Sequence, residues 1–233
     1  MESTEKYLQD LKQWLLDTKD EPLEGMADFF TKRLDGYEEH MAIWEESYQM
    51  FAELLPEACQ NIVDLGCGTG LELDIIWKKN PDIAVTGVDL CEDMLEQLRK
   101  KHSDKNLTTL CRDYFQYDFG VEEWDAAISF ESLHHFLPEK KGELYKKLYV
   151  SLKKGGVFLL GDYIACCEEE EELLCRTCVE KRARFAIPED KFVHFDIPLT
   201  LEHEQQLLKE AGFHIEKVLD NPDGATIFLA RKM

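Results

Sequence analysis

The sequence of 233 residues has few basic side chains and no long apolar run. It contains 27 Lys and Arg against 48 Asp and Glu, which gives a formal net charge of -21. Nucleic-acid binding draws much of its affinity from neutralising phosphates, and no basic stripe is visible here, which disfavours a tRNA or DNA partner. No apolar run approaches the roughly 20 residues that a membrane helix needs, and no apolar segment follows a basic N-terminal stretch. We therefore expect a cytoplasmic monomer or homodimer that acts on a small molecule, with no membrane partner.

The cysteines do not predict a disulfide framework. Of the eight, Cys67, Cys91 and Cys111 lie at or beside the ends of predicted strands. With 44% hydrophobic and 11% aromatic residues, the chain can fill one core with a small appendage and needs no cross-links to fold. We expect these thiols to be reduced.

From Asn61 onward, apolar strand patterns alternate with helical patterns. Such alternation predicts an α/β fold with a doubly wound, mostly parallel seven-stranded sheet, whose ligands bind at the carboxyl ends of the strands. The predicted helix EKKGELYKKLYVSL should end at the basic and glycine residues 153–156, because such residues are typical of helix C-termini. The predicted strands are NIVDL, IAVTGVDL, LTTLC, DAAISF, VFLLGDY, FHIEKVLD and ATIFLARK.

Two segments do not follow the alternation. Residues 1–55 contain helical patterns, of which the last, GYEEHMAIWEESYQMFAELL, ends at Pro56. Residues 164–199 contain an acidic helical run just after the end of a strand, where a lid would lie. We expect residues 1–55 to be N-terminal helices that cover the site, residues 56–233 to be the α/β domain, and residues 164–199 to be a helical cap inserted into it.

Three glycines, Gly66, Gly68 and Gly70, follow the first predicted strand directly in the segment VDLGCGTG. Glycine allows a positive φ and a close approach of a ligand to the backbone, and the next helix offers free N–H groups at its start. The dinucleotide fingerprint needs G-x-G-x-x-G, whereas here the third glycine comes one place early and Leu71 stands where Gly or Ala is expected. A pyrophosphate ligand such as NAD is therefore disfavoured.

This segment resembles the first motif of the class I S-adenosylmethionine-dependent methyltransferases, and three later segments resemble further motifs of that family in the same order. The resemblance covers about residues 62–161. It implies that residues 56–233 form a Rossmann-like methyltransferase domain that binds S-adenosyl-L-methionine and transfers a methyl group to a small-molecule acceptor. In that family, the position of Asp89 in TGVDL accepts the ribose hydroxyls, and the position of Asp113 in CRDYF accepts from the adenine amino group.

The same resemblance implies the remaining contacts of the cofactor. The backbone N–H of Tyr114 should meet the adenine ring, and SFESLHHF resembles the segment beneath the methionine part. Tyr37 resembles an N-terminal tyrosine that folds over the cofactor, with Arg33 at its carboxylate; the alternative is that both belong to an ordinary amphipathic helix face. The full set of expected cofactor-binding residues is Asp64, Gly66, Gly68, Gly70, Asp89, Leu90, Met94, Asp113, Tyr114, Phe130, Tyr37 and Arg33.

Candidate catalytic residues follow the fourth and fifth predicted strands. His134 and His135 could supply a general base, which methyl transfer needs only when the acceptor atom arrives protonated. The alternative for this pair is packing beneath the cofactor. Tyr163, with Asp162 before it, would orient the acceptor or merely close the sheet.

A second group of cysteines, Cys166, Cys167, Cys175 and Cys178, lies in the expected cap. Thiolates at this spacing can share a zinc ion, and they would also suit a soft-metalloid acceptor such as arsenite. Because Cys175 and Cys178 fall inside a predicted helix among glutamates, we predict no metal site.

Two other functions remain open at this point. One is a relative that synthesises carboxy-S-adenosylmethionine or modifies the wobble uridine of tRNA, in which Arg182 or Arg184 of the cap would hold the added carboxylate. The other is a catalytically silent partner subunit that binds the cofactor.

Overall fold

The strands form one seven-stranded sheet with the order β3-β2-β1-β4-β5-β7-β6. The computed structural model describes residues 4–220 and 225–233, so residues 1–3 and 221–224 of the expected segments lie outside the described residues. β7 runs antiparallel to β5 and β6, and the other pairs are parallel. The predicted fold class is confirmed. The strands are β1 Asn61–Leu65, β2 Ala84–Asp89, β3 Leu107–Cys111, β4 Trp124–Phe130, β5 Leu152–Asp162, β6 His214–Leu219 and β7 Thr226–Arg231.

Helices cover both faces of the sheet. Ile62 and Val63 are neighbours in β1, and both are fully buried, in separate apolar clusters. Because successive side chains of a strand point to opposite faces, the two clusters are the two sides of the sheet. The helices are α1 Thr4–Asp17, α2 Met26–Arg33, α3 Tyr37–Met41, α4 Glu45–Leu54, α5 Leu71–Lys79, α6 Glu92–Lys101, α7 Pro138–Ser151, α8 Glu168–Arg184 and α9 Leu201–Glu210, with short 3-10 helices at Ala42–Trp44 and Leu133–His135.

The third N-terminal helical pattern is two helices rather than one. α3 and α4 are separated by the 3-10 turn Ala42–Trp44, and Trp44 adopts φ -92° and ψ 7°, outside the α-helical region. No proline or glycine marks the break in residues 37–54. The single tight turn keeps apolar side chains on the same side, so their spacing does not reveal it.

The basic and glycine residues 153–156 do not end a helix, which corrects the prediction made from their composition. α7 ends at Ser151 and β5 begins at once. Trp124 pairs with Leu152 while Ala126 pairs with Val157, so the four residues between bulge out of β5. Gly155 has a φ of +79° within this bulge, where a left-handed conformation is needed.

The segment from residue 164 to residue 199 packs against the N-terminal helices. α1 and α8 share an apolar cluster with Phe195, and Lys181 donates to the backbone carbonyl of Thr18 at 2.7 Å. The backbone N–H of Met26 also donates to the carbonyl of Phe192. These contacts place α2 and residues 192–196 side by side near the carboxyl ends of the strands. None of the described helices has the length and apolar character to cross a bilayer.

Candidate functional site

The glycine segment makes a sharp turn between β1 and α5. The N–H of Gly66 donates to the carbonyl of Val88 at 2.8 Å, which ties the turn to β2. Gly66 has a φ of +71°, and a Cβ there would lie 2.0 Å from Ser132 Oγ. Gly68 has a φ of +47°, but a Cβ there would meet nothing nearer than the Tyr37 hydroxyl at 3.8 Å. The space beside Gly68 is therefore open to a ligand.

Asp89 connects the turns that follow β1 and β2. Its Oδ2 accepts from the N–H of Gly68 at 2.9 Å, and its Oδ1 accepts from the N–H of Cys91 at 2.7 Å. Burial raises the pKa of Asp89, and these two hydrogen bonds oppose that shift. Each carboxylate oxygen retains a further lone pair, so Asp89 can accept from a ligand's hydroxyl groups as well.

A cavity that is partly open to solvent lies beside the glycine turn. Residues of α2 and the start of α3 close it on one side, and the end of β4 and the residues after it line the other. No Lys or Arg occurs among the described residues that line it, which are Met26, Ala27, Phe30, Tyr37, Gly66, Gly68, Asp89, Leu90, Cys91, Met94, Tyr114, Phe130, Glu131, Ser132, His135 and Phe136.

Tyr114 and Tyr37 supply aromatic walls of the cavity. The hydroxyl groups of Tyr114 and Ser132 form a hydrogen bond at 3.1 Å, and the Tyr114 ring packs edge-on against Phe136. The Tyr37 ring packs edge-on against Phe30 of α2. Burial raises the pKa of Tyr37, followed by the effect of the acidic side chains around it, so its hydroxyl stays protonated.

A group of histidines and carboxyl groups borders the cavity on the side of β4 and β5. His134 Nδ1 forms a hydrogen bond with Asp162 Oδ1 at 2.6 Å. His135 lines the cavity, and its Nδ1 lies 3.1 Å from Asp196 Oδ1. Glu131 Oε2 lies 3.8 Å from His134 Nδ1. Three acidic side chains and two imidazoles therefore meet where β4, β5 and the cap segment come together.

The two histidines have opposite pKa shifts. Burial alone would lower the pKa of His134, but the negative charge of Asp162 and the hydrogen bond to it raise that pKa to about 9. Burial, and then the charge of His134, lower the pKa of His135. His194 lies beside His135, and burial together with that neighbour lowers its pKa to about 3. Near neutral pH, the positive charge of this group resides on His134.

Nine of the residues expected at the site line the cavity: Tyr37, Gly66, Gly68, Asp89, Leu90, Met94, Tyr114, Phe130 and His135. Six do not: Arg33, Asp64, Gly70, Asp113, His134 and Tyr163. His134 lies directly behind His135, with ring centroids 4.0 Å apart. Asp113 accepts from the N–H of Phe115 at 2.8 Å and so closes a local turn. A Cβ on Gly70 would meet Leu98 at 2.5 Å, so this glycine serves helix packing.

The positions of Arg33, Tyr163 and Asp64 correct the contacts expected of them. Arg33 Nη1 donates to Glu24 Oε2 at 2.8 Å, and its guanidinium stacks on Phe29 instead of facing the cavity. The Tyr163 hydroxyl forms hydrogen bonds with Glu170 and with Tyr7, which tie β5 to α1 and α8. Asp64 is fully buried beside the carboxyl group of Glu72.

Several cavity residues, and Asp196, were not predicted from the sequence. Met26, Ala27 and Phe30 lie on one face of α2, and their helical spacing was the signal that could have pointed to them. Asp196 and His194 lie in an irregular part of the cap segment, where no periodicity marks them. Two groups of closely spaced potential metal ligands occur in residues 4–220 and 225–233, both include His134, and neither contains a cysteine.

The site can be compared with known protein families. Residues 62–156 match the family model described as a methyltransferase domain. Over these residues the chain is similar to the S-adenosylmethionine-dependent methyltransferases. The match begins in β1 and ends in the bulge of β5, so it contains the glycine turn and Asp89, and the cofactor that this similarity implies is S-adenosylmethionine.

Several curated proteins resemble this chain. A carboxy-S-adenosyl-L-methionine synthase from Campylobacter hominis is 24% identical over 203 residues, covering 81% of this chain and 86% of that protein. A malonyl-[acyl-carrier protein] O-methyltransferase from Priestia megaterium is 33% identical over 109 residues, covering 44% of this chain and 36% of that protein.

Solved structures show the same fold. An S-adenosylmethionine-dependent methyltransferase from Mesorhizobium loti aligns with a TM-score of 0.58 and 20% identity, over 78% of this chain and 95% of that one. The [4+2]-cyclase SpnF aligns with a TM-score of 0.63 and 16% identity, over 81% of each chain. Because one of these proteins is named as a cyclase, the fold of this chain does not by itself specify its reaction.

Proposed function

We propose that this methyltransferase transfers the methyl group of S-adenosyl-L-methionine to a small-molecule acceptor. The cofactor would lie in the cavity beside Gly68, where a Cβ would occupy free space, with its ribose hydroxyls at Asp89. Tyr37 of α3 and Met94 of α6 would enclose it, and Tyr114 would border the adenine. When bound, the cofactor supplies a methyl group already activated as a sulfonium.

The protein's own contribution is to align the acceptor and to exclude water. We propose that the N-terminal helices in residues 1–55 and the cap in residues 164–199 do this. α2 supplies Met26, Ala27 and Phe30 to the cavity wall, and Met26 is joined to the cap through the carbonyl of Phe192. A ligand bound beneath α2 would therefore be shielded by both segments.

The absence of Lys and Arg from the described cavity lining favours methyl transfer over the reaction named in the carboxy-S-adenosylmethionine synthases. An added carboxylate in a buried site would need a paired cation. Arg33 pairs with Glu24, Arg184 pairs with Asp20, and Arg182 lies outside this lining. Apart from His135, the charged side chains of this lining are Asp89 and Glu131, which are acidic.

A second cavity adjoins the first and is where we place the acceptor. The two share His135 and Phe136, and the second also carries Lys140, Arg182 and Lys191 beside Glu139 and Glu189. In a chain with a net charge of -21, a cavity in which cations outnumber carboxylates favours an acceptor that carries an anionic group at some distance from the reacting atom.

The experiment uses S-adenosyl-L-methionine labelled in its methyl group, incubated with the protein and a metabolite extract. We expect S-adenosylhomocysteine to form and the label to appear in molecules that an anion-exchange resin retains. Label found only in cationic metabolites would contradict an anionic acceptor. A protein that binds S-adenosylhomocysteine but never forms it in such extracts would instead be the silent partner subunit.

Mass spectrometry of the ligand that copurifies with the protein separates the two enzyme functions. We expect S-adenosylmethionine or S-adenosylhomocysteine. A carboxylated cofactor in most of the protein would contradict methyl transfer and favour the carboxy-S-adenosylmethionine synthase function.

A further inference from the structure

Three potential metal ligands converge next to the two cavities. Asp196 Oδ1 lies 3.1 Å from His135 Nδ1 and 3.6 Å from His134 Nε2, and all three atoms lie within 4.8 Å of one another. First-row divalent ions bind histidine nitrogen and carboxylate oxygen at about 2.0–2.2 Å, which separates neighbouring ligand atoms by roughly 3.0–3.5 Å. The observed separations to Asp196 Oδ1 are close to that range.

The carboxylate of Asp196 points into this group. Its Oδ1 is buried, although 44% of the side chain is exposed, and it faces both imidazoles. The other acceptor near His135 Nδ1, the carbonyl of Phe195, is 3.4 Å away, at the outer limit for a hydrogen bond. The charge on His134 faces Asp196 Oδ1 at 3.6 Å, so a metal ion bound here would take the place of the proton on His134 Nε2.

His134 is oriented as metal-binding histidines usually are. Its Nδ1 is hydrogen-bonded to Asp162, a fully buried carboxylate on β5, and this leaves Nε2 facing Asp196. A carboxylate on the far nitrogen fixes the tautomer and ring orientation that metal binding requires. The second oxygen of Asp162 faces the buried Lys141, whose Nζ lies 3.9 Å away. No metal site was predicted from the sequence, in which only the cysteines of the expected cap have a spacing typical of metal ligands.

We propose that His134 Nε2, His135 Nδ1 and Asp196 Oδ1 bind a divalent first-row transition-metal ion, with Asp162 as the positioning residue for His134. Two imidazoles and one carboxylate suit Zn²⁺, Fe²⁺, Co²⁺ or Mn²⁺. Because His135 lines both cavities, the ion borders the space assigned to the acceptor, and an oxygen of the acceptor can complete its coordination. This site goes beyond the proposed methyl transfer, and its existence can be tested without any turnover.

The test titrates Co²⁺ into protein that has been treated with EDTA and dialysed, with visible absorption and equilibrium dialysis as the readouts. We expect one tight equivalent in the wild type and at least a tenfold weaker site in Asp196→Asn, whose half-exposed side chain can be changed with little effect on folding. His203→Asn is the matched control, because His203 is exposed, lies 2.8 Å from a carboxylate oxygen of Glu171 and is not part of the group. It should bind Co²⁺ like the wild type.

A second variant keeps the result independent of folding defects. Asp162→Ala should also weaken Co²⁺ binding tenfold or more, and thermal melting of each metal-free variant shows whether it is folded. Equal Co²⁺ binding by the wild type and a folded Asp196→Asn would overturn the proposal. So would an intense near-ultraviolet sulfur-to-cobalt absorption band, since it would place the ion on the cysteines instead. Failure of wild-type protein to bind any tight equivalent would overturn it as well, whether or not methyl transfer is found.

Discussion

Replacing Gly68 with alanine should lower the stability of the fold slightly and the affinity for the cofactor strongly, and the two effects can be measured separately. Gly68 has a φ of +47° and room for a Cβ, so the variant should lose only about 1 to 2 kcal/mol for the left-handed backbone. For a chain of this size, that loss lowers Tm by roughly 2–4 °C per kcal/mol. The added methyl group, however, would project about 1.5 Å from Cα into the cavity. A ligand atom in contact with that Cα would then be far inside van der Waals distance.

Isothermal titration calorimetry with S-adenosylhomocysteine measures the loss of binding affinity. Gly68→Ala should weaken binding at least tenfold, which is about 1.4 kcal/mol. Gly155→Ala is the matched control, because Gly155 has a φ of +79°, has open space around it and lies in the bulge of β5, outside the cavity lining. It should show a similar loss of stability with unchanged binding. If Gly68→Ala binds like the wild type, or if both variants lose affinity equally, the assigned cofactor position is wrong.

The remaining predictions concern buried carboxyl groups. Asp89→Ala should weaken S-adenosylhomocysteine binding by roughly 1.5–3 kcal/mol in the same titration, the usual scale for hydrogen bonds to a charged group; unchanged affinity would argue against ribose contacts. Burial raises the pKa of Asp64 and of Glu72, so these groups stabilise the protein most below the pKa of the unfolded chain and lose that effect as pH rises. Urea unfolding should therefore show Glu72→Gln gaining stability relative to the wild type as the pH rises above about 5, and a difference that does not change with pH would contradict this. Lys141→Met should cost about 3–5 kcal/mol, because it removes the cation that pairs with the buried Glu204 and leaves only the hydrogen bond from Tyr145, and adding Glu204→Gln should recover most of that loss.

The sheet could be predicted from the sequence because its strands are short apolar runs with clear ends. β1 and β3 have the bounds that the patterns NIVDL and LTTLC predict. The bulge at residues 153–156 was not predictable from composition, since lysine and glycine also end helices. The break at Trp44 was not predictable either, because residues 37–54 contain no proline or glycine that would mark it.

The glycine turn and Asp89 could be placed because parallel strands bring their carboxyl ends to one edge. Arg33 could not be placed from the sequence, because the orientation of its side chain depends on contacts with Glu24 and with the ring of Phe29. Neither contact has a sequence signature. Asp196 is likewise brought to His135 only by the path of the cap. Contacts between segments about sixty residues apart depend on tertiary packing, which local patterns do not encode.

Native mass spectrometry of the protein with equimolar S-adenosylhomocysteine and NAD tests the central claim, that the cavity beside Gly68 and Asp89 binds the methyltransferase cofactor. We predict one bound S-adenosylhomocysteine per chain, no NAD at the same concentration, and loss of the bound ligand in Gly68→Ala. Binding of NAD in place of S-adenosylhomocysteine, or full retention of S-adenosylhomocysteine in Gly68→Ala, would contradict it.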